Sequence, residues 1–169
     1  MSTHPDFVDL IVAQLVAELP EAGAEAIAPI ARFGRLDSRL RKSVITRIGL
    51  HGLREAEYNV LAALRRSGAP YQLAPSDVSR SMLFTSGGLT PVLDRLEQRG
   101  LVKRQPDAED RRKLRIQLTP AGMALHAEAL DSYVEIATKV TSVLTRDQKE
   151  QLNGLLRILL LSLDDLGAE

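Results

Sequence analysis

Apolar residues recur with a helical period over most of the chain and with a period of two in one short stretch. Phe7, Leu10, Ile11, Leu15 and Leu19 fall on one face of a helix over residues 7–19. Pro20 ends it, because proline has no N–H to continue the ladder. Ile30, Phe33, Leu36, Leu40, Val44 and Ile48 predict a second helix over about 27–48, closed by Gly49 and Gly52. A third, over 54–66, carries Val60, Leu61 and Leu64 and breaks at Ser67-Gly68-Ala69-Pro70. A short helix over 76–83 and another over 85–99 follow. Thr85 or Ser86 is the expected cap of the latter, with Gly100 just past its end.

The period then changes. Residues 101–104 and 114–118 read as two strands, Leu114, Ile116 and Leu118 alternating with Arg115 and Gln117. The polar stretch 105–113 joins them as a long hairpin loop. Thr119-Pro120 starts a helix, a hydroxyl cap followed by the proline that a first turn tolerates. Helices over about 120–144 and 147–166 complete the chain. In the last, Leu152, Leu155, Leu156, Leu159, Leu160, Leu163 and Leu166 form a broad apolar stripe, with Ile158 and Leu161 beside it. This order of elements is that of a winged helix–turn–helix between flanking helices, a mainly α fold with a small β-wing.

The net charge of zero hides an uneven distribution. Residues 1–31 carry five acids and no lysine or arginine, and residues 32–66 carry nine bases and three acids. Residues 99–115 carry Arg99, Lys103, Arg104, Arg111, Arg112, Lys113 and Arg115 against three acids, and residues 120–169 return to an acidic balance. A basic centre between acidic ends is a local footprint for a polyanion. The 169 residues can bury a core without staples, and zero cysteines exclude disulfides, Cys-ligated zinc, iron–sulfur clusters and thiol sensing. No basic, apolar leader is visible at the start. The longest apolar-rich stretch, 155–163, contains Arg157 and falls far short of the ~18 residues that a membrane span needs. A cytoplasmic protein is expected, with no membrane partner.

Reading DNA needs a helix whose early residues are small or polar, cations near phosphates, and a rigid frame that sets the angle. Thr85-Ser86-Gly87-Gly88-Leu89-Thr90-Pro91 meets the first need. Two glycines early in a helix cost roughly 1 kcal/mol each against alanine, which points to a close backbone approach. The tip 106–113, with Arg111, Arg112 and Lys113, is suited to a minor groove, whose negative potential favours arginine. Asp110 is expected to pair with Arg95 or Arg112 and fix the wing.

Catalysis is not expected. His4, His51 and His126 are too scattered for a metal site, and neither a phosphate-cradling glycine loop nor a nucleophile elbow is present. No cofactor is expected. The rival from another class is a helical protein–protein interaction module that uses the leucine-rich last helix without ligand sensing.

Pro75-Ser76-Asp77, Thr85-Ser86-Gly87-Gly88-Leu89-Thr90, Asp94-Arg95-Leu96-Glu97-Gln98-Arg99-Gly100-Leu101-Val102, Asp110-Arg111-Arg112 and Leu118-Thr119-Pro120-Ala121-Gly122 together resemble MarR-type transcriptional regulators. The specific part of the resemblance covers about 50–122. It implies a homodimer that binds a pseudo-palindromic double-stranded operator, with dimerisation helices over 1–49 and 120–169 and a DNA-binding lobe over 50–119. It implies major-groove contacts by Ser86, Gly88, Thr90 and Pro91, with Ser76 and Thr85 also at the DNA. Arg95 would hold phosphate or the wing, Arg112 would enter the minor groove, and Arg111 and Lys113 are the other DNA-binding candidates of the tip. One departure is Ala74, where the family usually places a capping Ser or Thr, worth about 1 kcal/mol.

The extra N-terminal helix and Leu61-Ala62-Ala63-Leu64-Arg65-Arg66-Ser67-Gly68 resemble the urate-responsive branch. That likeness implies ligand positions at Leu15, Asn59, Val92 and Arg104, where the branch carries Trp, Asp, Arg and Arg. Only the last is kept, so urate is not expected. A small aromatic effector, phenolic or polycyclic, is expected instead, and His51 and Arg32 are further cleft candidates. For these the plainer roles are a cap or surface residue for His51, a partner of neighbouring acids for Arg32, and a phosphate contact for Arg104.

Overall fold

A computed structural model describes residues 4–20, 23–82, 88–107 and 110–166. Among them the order is α1 (Phe7–Glu18), α2 (Ala24–Leu50), α3 (Glu55–Arg66), β1 (Gln72–Leu73), α4 (Pro75–Ser81), α5 (Leu89–Gln98), β2 (Val102–Pro106), β3 (Leu114–Leu118), α6 (Pro120–Thr141) and α7 (Arg146–Leu166). The three strands form one antiparallel sheet in the order β1-β3-β2.

The core lies where α3, α5 and the sheet meet. α3 has Glu55 and Glu57 in its first turn and Arg65 and Arg66 in its last, charges that suit the helix dipole at both ends. Residues 57–64 are all buried, so this helix is enclosed on every side. Val60, Leu61 and Leu64 pack with Val78 of α4, Val92, Leu93 and Leu96 of α5, and Val102, Ile116 and Leu118 of the sheet. The register pairs Val102 with Leu118 and Arg104 with Ile116. Because side chains alternate, Val102 and Arg104 share the face that carries Ile116, the one turned toward the helices.

β1 lies outside the two expected strands. Two residues carry no readable period, and their pairing, Gln72 with Gln117 and Leu73 with Ile116, joins segments far apart in sequence. β2 begins and ends later than the expected 101–104, since pairing continues to Pro106 opposite Leu114. α2 continues through Pro29, and α6 stops at Thr141, short of the expected 144.

α5 starts at Leu89, later than expected. Its N-cap is Gly88 in extended conformation with no side-chain cap. Gly88 therefore stands before the helix and the expected interior-glycine cost does not apply to it. Thr85, Ser86 and Gly87 lie outside the described residues.

The face of α1 also differs from expectation. Val8 is its buried residue, and Val12 and Leu15 are half-buried along the same side, against α2. Phe7, Leu10, Ile11 and Leu19 are exposed. α1 is apolar on two faces, and the stripe read from the periodicity follows the outer one except at Leu15. Asp6 caps the helix through Val8 N and Asp9 N, and Arg32 of α2 donates to both Asp6 and Asp9, as its plainer role anticipated.

α6 enters by a hydroxyl cap. Thr119 Oγ1 accepts from Gly122 N, and Thr119 also bonds Leu101 O from its own N–H and hydroxyl. Gly122 passes the residue before β2 so tightly that a Cβ would meet Leu101 O at 2.1 Å. α7 leaves Leu155, Ile158, Leu160, Leu161 and Leu163 exposed on the single chain. No helix among the described residues is long and apolar enough to cross a membrane.

Candidate nucleic-acid interface

α5 is held from its inner side. Val92, Leu93 and Leu96 are buried, and Arg95 Nε donates to Glu57 Oε1 at 2.9 Å. Glu57 is buried at the start of α3, where its other oxygen accepts from Arg54 N at 2.8 Å. Arg99 closes the same corner, donating to Gly52 O at 2.9 Å with Nη1 at 3.6 Å from Glu57. The expected pairing of Asp110 with Arg95 is therefore replaced by Glu57 with Arg95. Asp110 instead accepts from the backbone N–H of Arg112 at 3.1 Å and lies 3.7 Å from Lys113 Nζ.

Among the described residues, the outer side of α5 is uncovered at its start. Gly88, Thr90 and Pro91 are exposed at its start, and Ser76 is exposed in the first turn of α4. Ala74 precedes that helix without a side-chain cap, as the sequence implies. Arg66 donates to Ser81 O at 2.8 Å and fastens the end of α4 to α3.

The wing is braced at its root and open at its tip. Arg115 bonds the nearly buried carboxylate of Asp107, which also accepts from Asp110 N at 3.0 Å. Asp107 N donates to Lys113 O and Lys113 N to Asp110 O, closing the turn. Arg111, Arg112 and Lys113 are exposed at the tip.

Arg104 ties the wing to α5. Its Nη2 meets Asp94 Oδ1 at 2.6 Å, its Nη1 meets Glu97, and its backbone N–H donates to Glu97 Oε1 at 2.8 Å. The backbone N–H first, then the guanidinium, hold the Glu97 carboxyl below its ordinary range, while Asp94 and Glu97 raise Arg104. These two acids were the partners that sequence reading missed. The signal was present, since Asp94 and Glu97 stand three apart on one helix face.

The six ligand candidates do not converge, and Val92 is buried in the core. Arg32 is held at α1, Leu15 lies against α2, and Arg104 is committed to α5. His51 caps α2 and its Nε2 lies 2.9 Å from Ser132 Oγ of α6. Asn59 alone lines a cavity of about 220 Å³, with Val44, Ile48, Tyr58, Ala62, Arg66, Leu130 and Tyr133 among the other walls. Its Nδ2 is buried without a hydrogen-bond partner. Beside it Tyr58 stacks between His126 and Tyr133, at centroid distances of 5.5 and 6.2 Å. Burial lowers the His126 pKa, with Arg65 and Arg66 adding to the effect. Among the described residues no group of His, Cys, Asp or Glu is placed to hold a metal ion.

These features find counterparts in known proteins. The MarR family pattern matches residues 51–113. The HTH-type transcriptional regulator PecS of Dickeya dadantii (strain 3937) is 34% identical over 146 residues, 86% of this chain and 88% of PecS. BpsR of Bordetella bronchiseptica, solved in a study of how 6-hydroxynicotinic acid regulates its DNA binding, is 27% identical with a TM-score of 0.60, over 75% of this chain and 91% of BpsR. A mutant MarR of Escherichia coli complexed with operator DNA shares the fold, with a TM-score of 0.67 at 24% identity over 80% of this chain and 96% of that one. With the match over 51–113 and the likeness to PecS across most of both chains, this chain belongs to the MarR family of transcriptional regulators.

Proposed function

We propose that the protein acts as a homodimeric, sequence-specific DNA-binding repressor that a small aromatic or phenolic ligand releases. The observation that carries the reading is the contrast across α5: its inner side is locked by Glu57 and Arg104, while Gly88, Thr90 and Pro91 face outward. A fixed helix with an open, small-residue start suits a major groove, and the exposed Arg111, Arg112 and Lys113 suit an adjacent minor groove. A second copy would cover the apolar outer faces of α1 and α7, and two lobes about 34 Å apart would reach successive major grooves.

The orphan amide of Asn59, the Tyr58 and Tyr133 rings and the small cavity support a compact planar ligand there. BpsR, whose DNA binding 6-hydroxynicotinic acid regulates, supports the same ligand class. Such a ligand must prefer the DNA-incompetent state, and tenfold release needs about 1.4 kcal/mol of preference. Repression needs only occupancy of a promoter.

The test is fluorescence-anisotropy binding to duplex DNA from just upstream of the protein's own coding region, at several salt concentrations. Salt-sensitive binding that Arg112→Ala weakens by about 1–3 kcal/mol is expected. No binding there, and no site enriched from random duplexes, would refute the reading. A stable heteromeric partner without DNA binding would favour the interaction module.

A further inference from the structure

Arg54, Arg95 and Arg99 surround one buried carboxylate, Glu57, in a pocket of about 340 Å³ between the start of α3 and the end of α5. Glu57 uses its oxygens to fix Arg95 Nε and the Arg54 backbone N–H, with Arg99 Nη1 nearby. The terminal nitrogens of Arg95 and the whole Arg54 guanidinium have no protein partner among the described residues. The other acid of this turn, Glu55, is spoken for by Arg41 at 3.1 Å. Three cations therefore face one anion, with two of the guanidinia already oriented.

Arg54 also breaks a local rule. It stands at the N-cap of α3 with no side-chain cap, where the helix dipole favours an anion and disfavours a cation. Local rules are broken most often at functional or strained sites.

We propose that this pocket is an oxyanion site, taking a phosphate group through Arg54, Arg95 and Arg99. The chemistry is shared by two sources, a backbone phosphate of duplex DNA and a free phosphate. For the first, the inference rests on the DNA-binding reading above. From Thr90 to Arg99 the helix rises about 14 Å, comparable to the ~12 Å width of a major groove. With the start of α5 at the bases, as proposed above, its far end would come within reach of the flanking phosphates.

The experiment compares wild type, Arg54→Gln and Arg99→Gln. Arg54 has no side-chain partner to lose among the described residues, so its variant is expected to keep the fold, which a thermal melt in chloride checks. One arm measures the melting shift caused by inorganic phosphate against chloride at equal ionic strength. The other measures anisotropy with a labelled mixed-sequence duplex over a salt series. A phosphate-dependent rise in wild type that Arg54→Gln abolishes assigns a free phosphate, and stands even if no duplex binds. A three- to tenfold loss of duplex affinity in Arg54→Gln, with the salt slope reduced by about one and no effect of free phosphate, assigns the DNA backbone. Duplex binding by wild type that both variants retain unchanged, with no phosphate effect, overturns the site and leaves the regulator intact. Failure of wild type in both arms overturns both readings.

Discussion

Gly122→Ala tests how α6 is joined to the lobe. The added Cβ would lie 2.1 Å from Leu101 O and 2.9 Å from Leu118 Cδ1. A comfortable C···O approach is about 3.3 Å, so the backbones must part by roughly 1 Å. Leu101 O already accepts from Thr119 N at 3.1 Å and Thr119 Oγ1 at 3.0 Å, and parting strains both bonds. Overpacking costs about 1–3 kcal/mol, and weakening two hydrogen bonds adds about 1 more. Alanine in place of glycine in a helix returns up to about 1 kcal/mol. The net loss is about 1–4 kcal/mol, or a fall in Tm of roughly 2–16 °C for a chain of this size. Calorimetry at fixed protein concentration measures it, since Tm would depend on concentration if the chain dimerises as proposed. Gly49→Ala, at a helix position with nothing within 4 Å, is the control and leaves Tm level or higher. A Gly122→Ala melt that matches the control would mean that α6 does not seat on Leu101, and the described junction would be wrong.

Arg104→Ala cuts the tie from β2 to α5. With Asp94 and Glu97 both partly exposed, stability falls by only about 1–2 kcal/mol, and operator affinity falls more than the melt implies; equal losses would deny the tie a role in aligning helix and wing. His126 has a folded pKa below its unfolded 6.5, so the unfolded state binds more protons as pH falls. Its contribution is present above pH 6.5 and is lost below it; urea melts between pH 7.5 and 5.5 should show the decline in wild type and a shallower one in His126→Phe. Asn59→Leu removes an unpaired buried amide, so the ligand-free protein gains about 1 kcal/mol while release by aromatic ligands disappears; retained release in an anisotropy titration would move the ligand elsewhere.

Where an element depends on its own sequence, it was readable. Leu114, Ile116 and Leu118 alternate in β3 as their spacing predicts, and Thr119-Pro120 caps and starts α6. α3 was legible because its apolar run and its charged ends agree. What escaped depends on distant partners. Glu57 and Arg95 lie 38 residues apart, and nothing in either neighbourhood announces the pair. β1 exists only because β3 is there to receive it. The outer stripe of α1 misled because a helix apolar on two faces satisfies the same period twice. At the candidate ligand positions, Asn59 kept its place in a cavity, while Arg32 and Arg104 had nearer acids to satisfy.

Successive residues of a helix point about 100° apart, so Glu57, Tyr58 and Asn59 address three different neighbours: the end of α5, the ring stack on α6, and the cavity. At its other end Arg66 grips α4. α3 works as a crankshaft with no free bearing. Its 12 residues span about 18 Å, so a tilt of about 5° carries one end through roughly 1.6 Å. A shift of that size at Glu57 reaches the guanidinium of Arg95 directly. Whatever fills the space beside Asn59 would thus be geared to the pitch of the helix proposed to meet the bases, through contacts that all lie among the described residues.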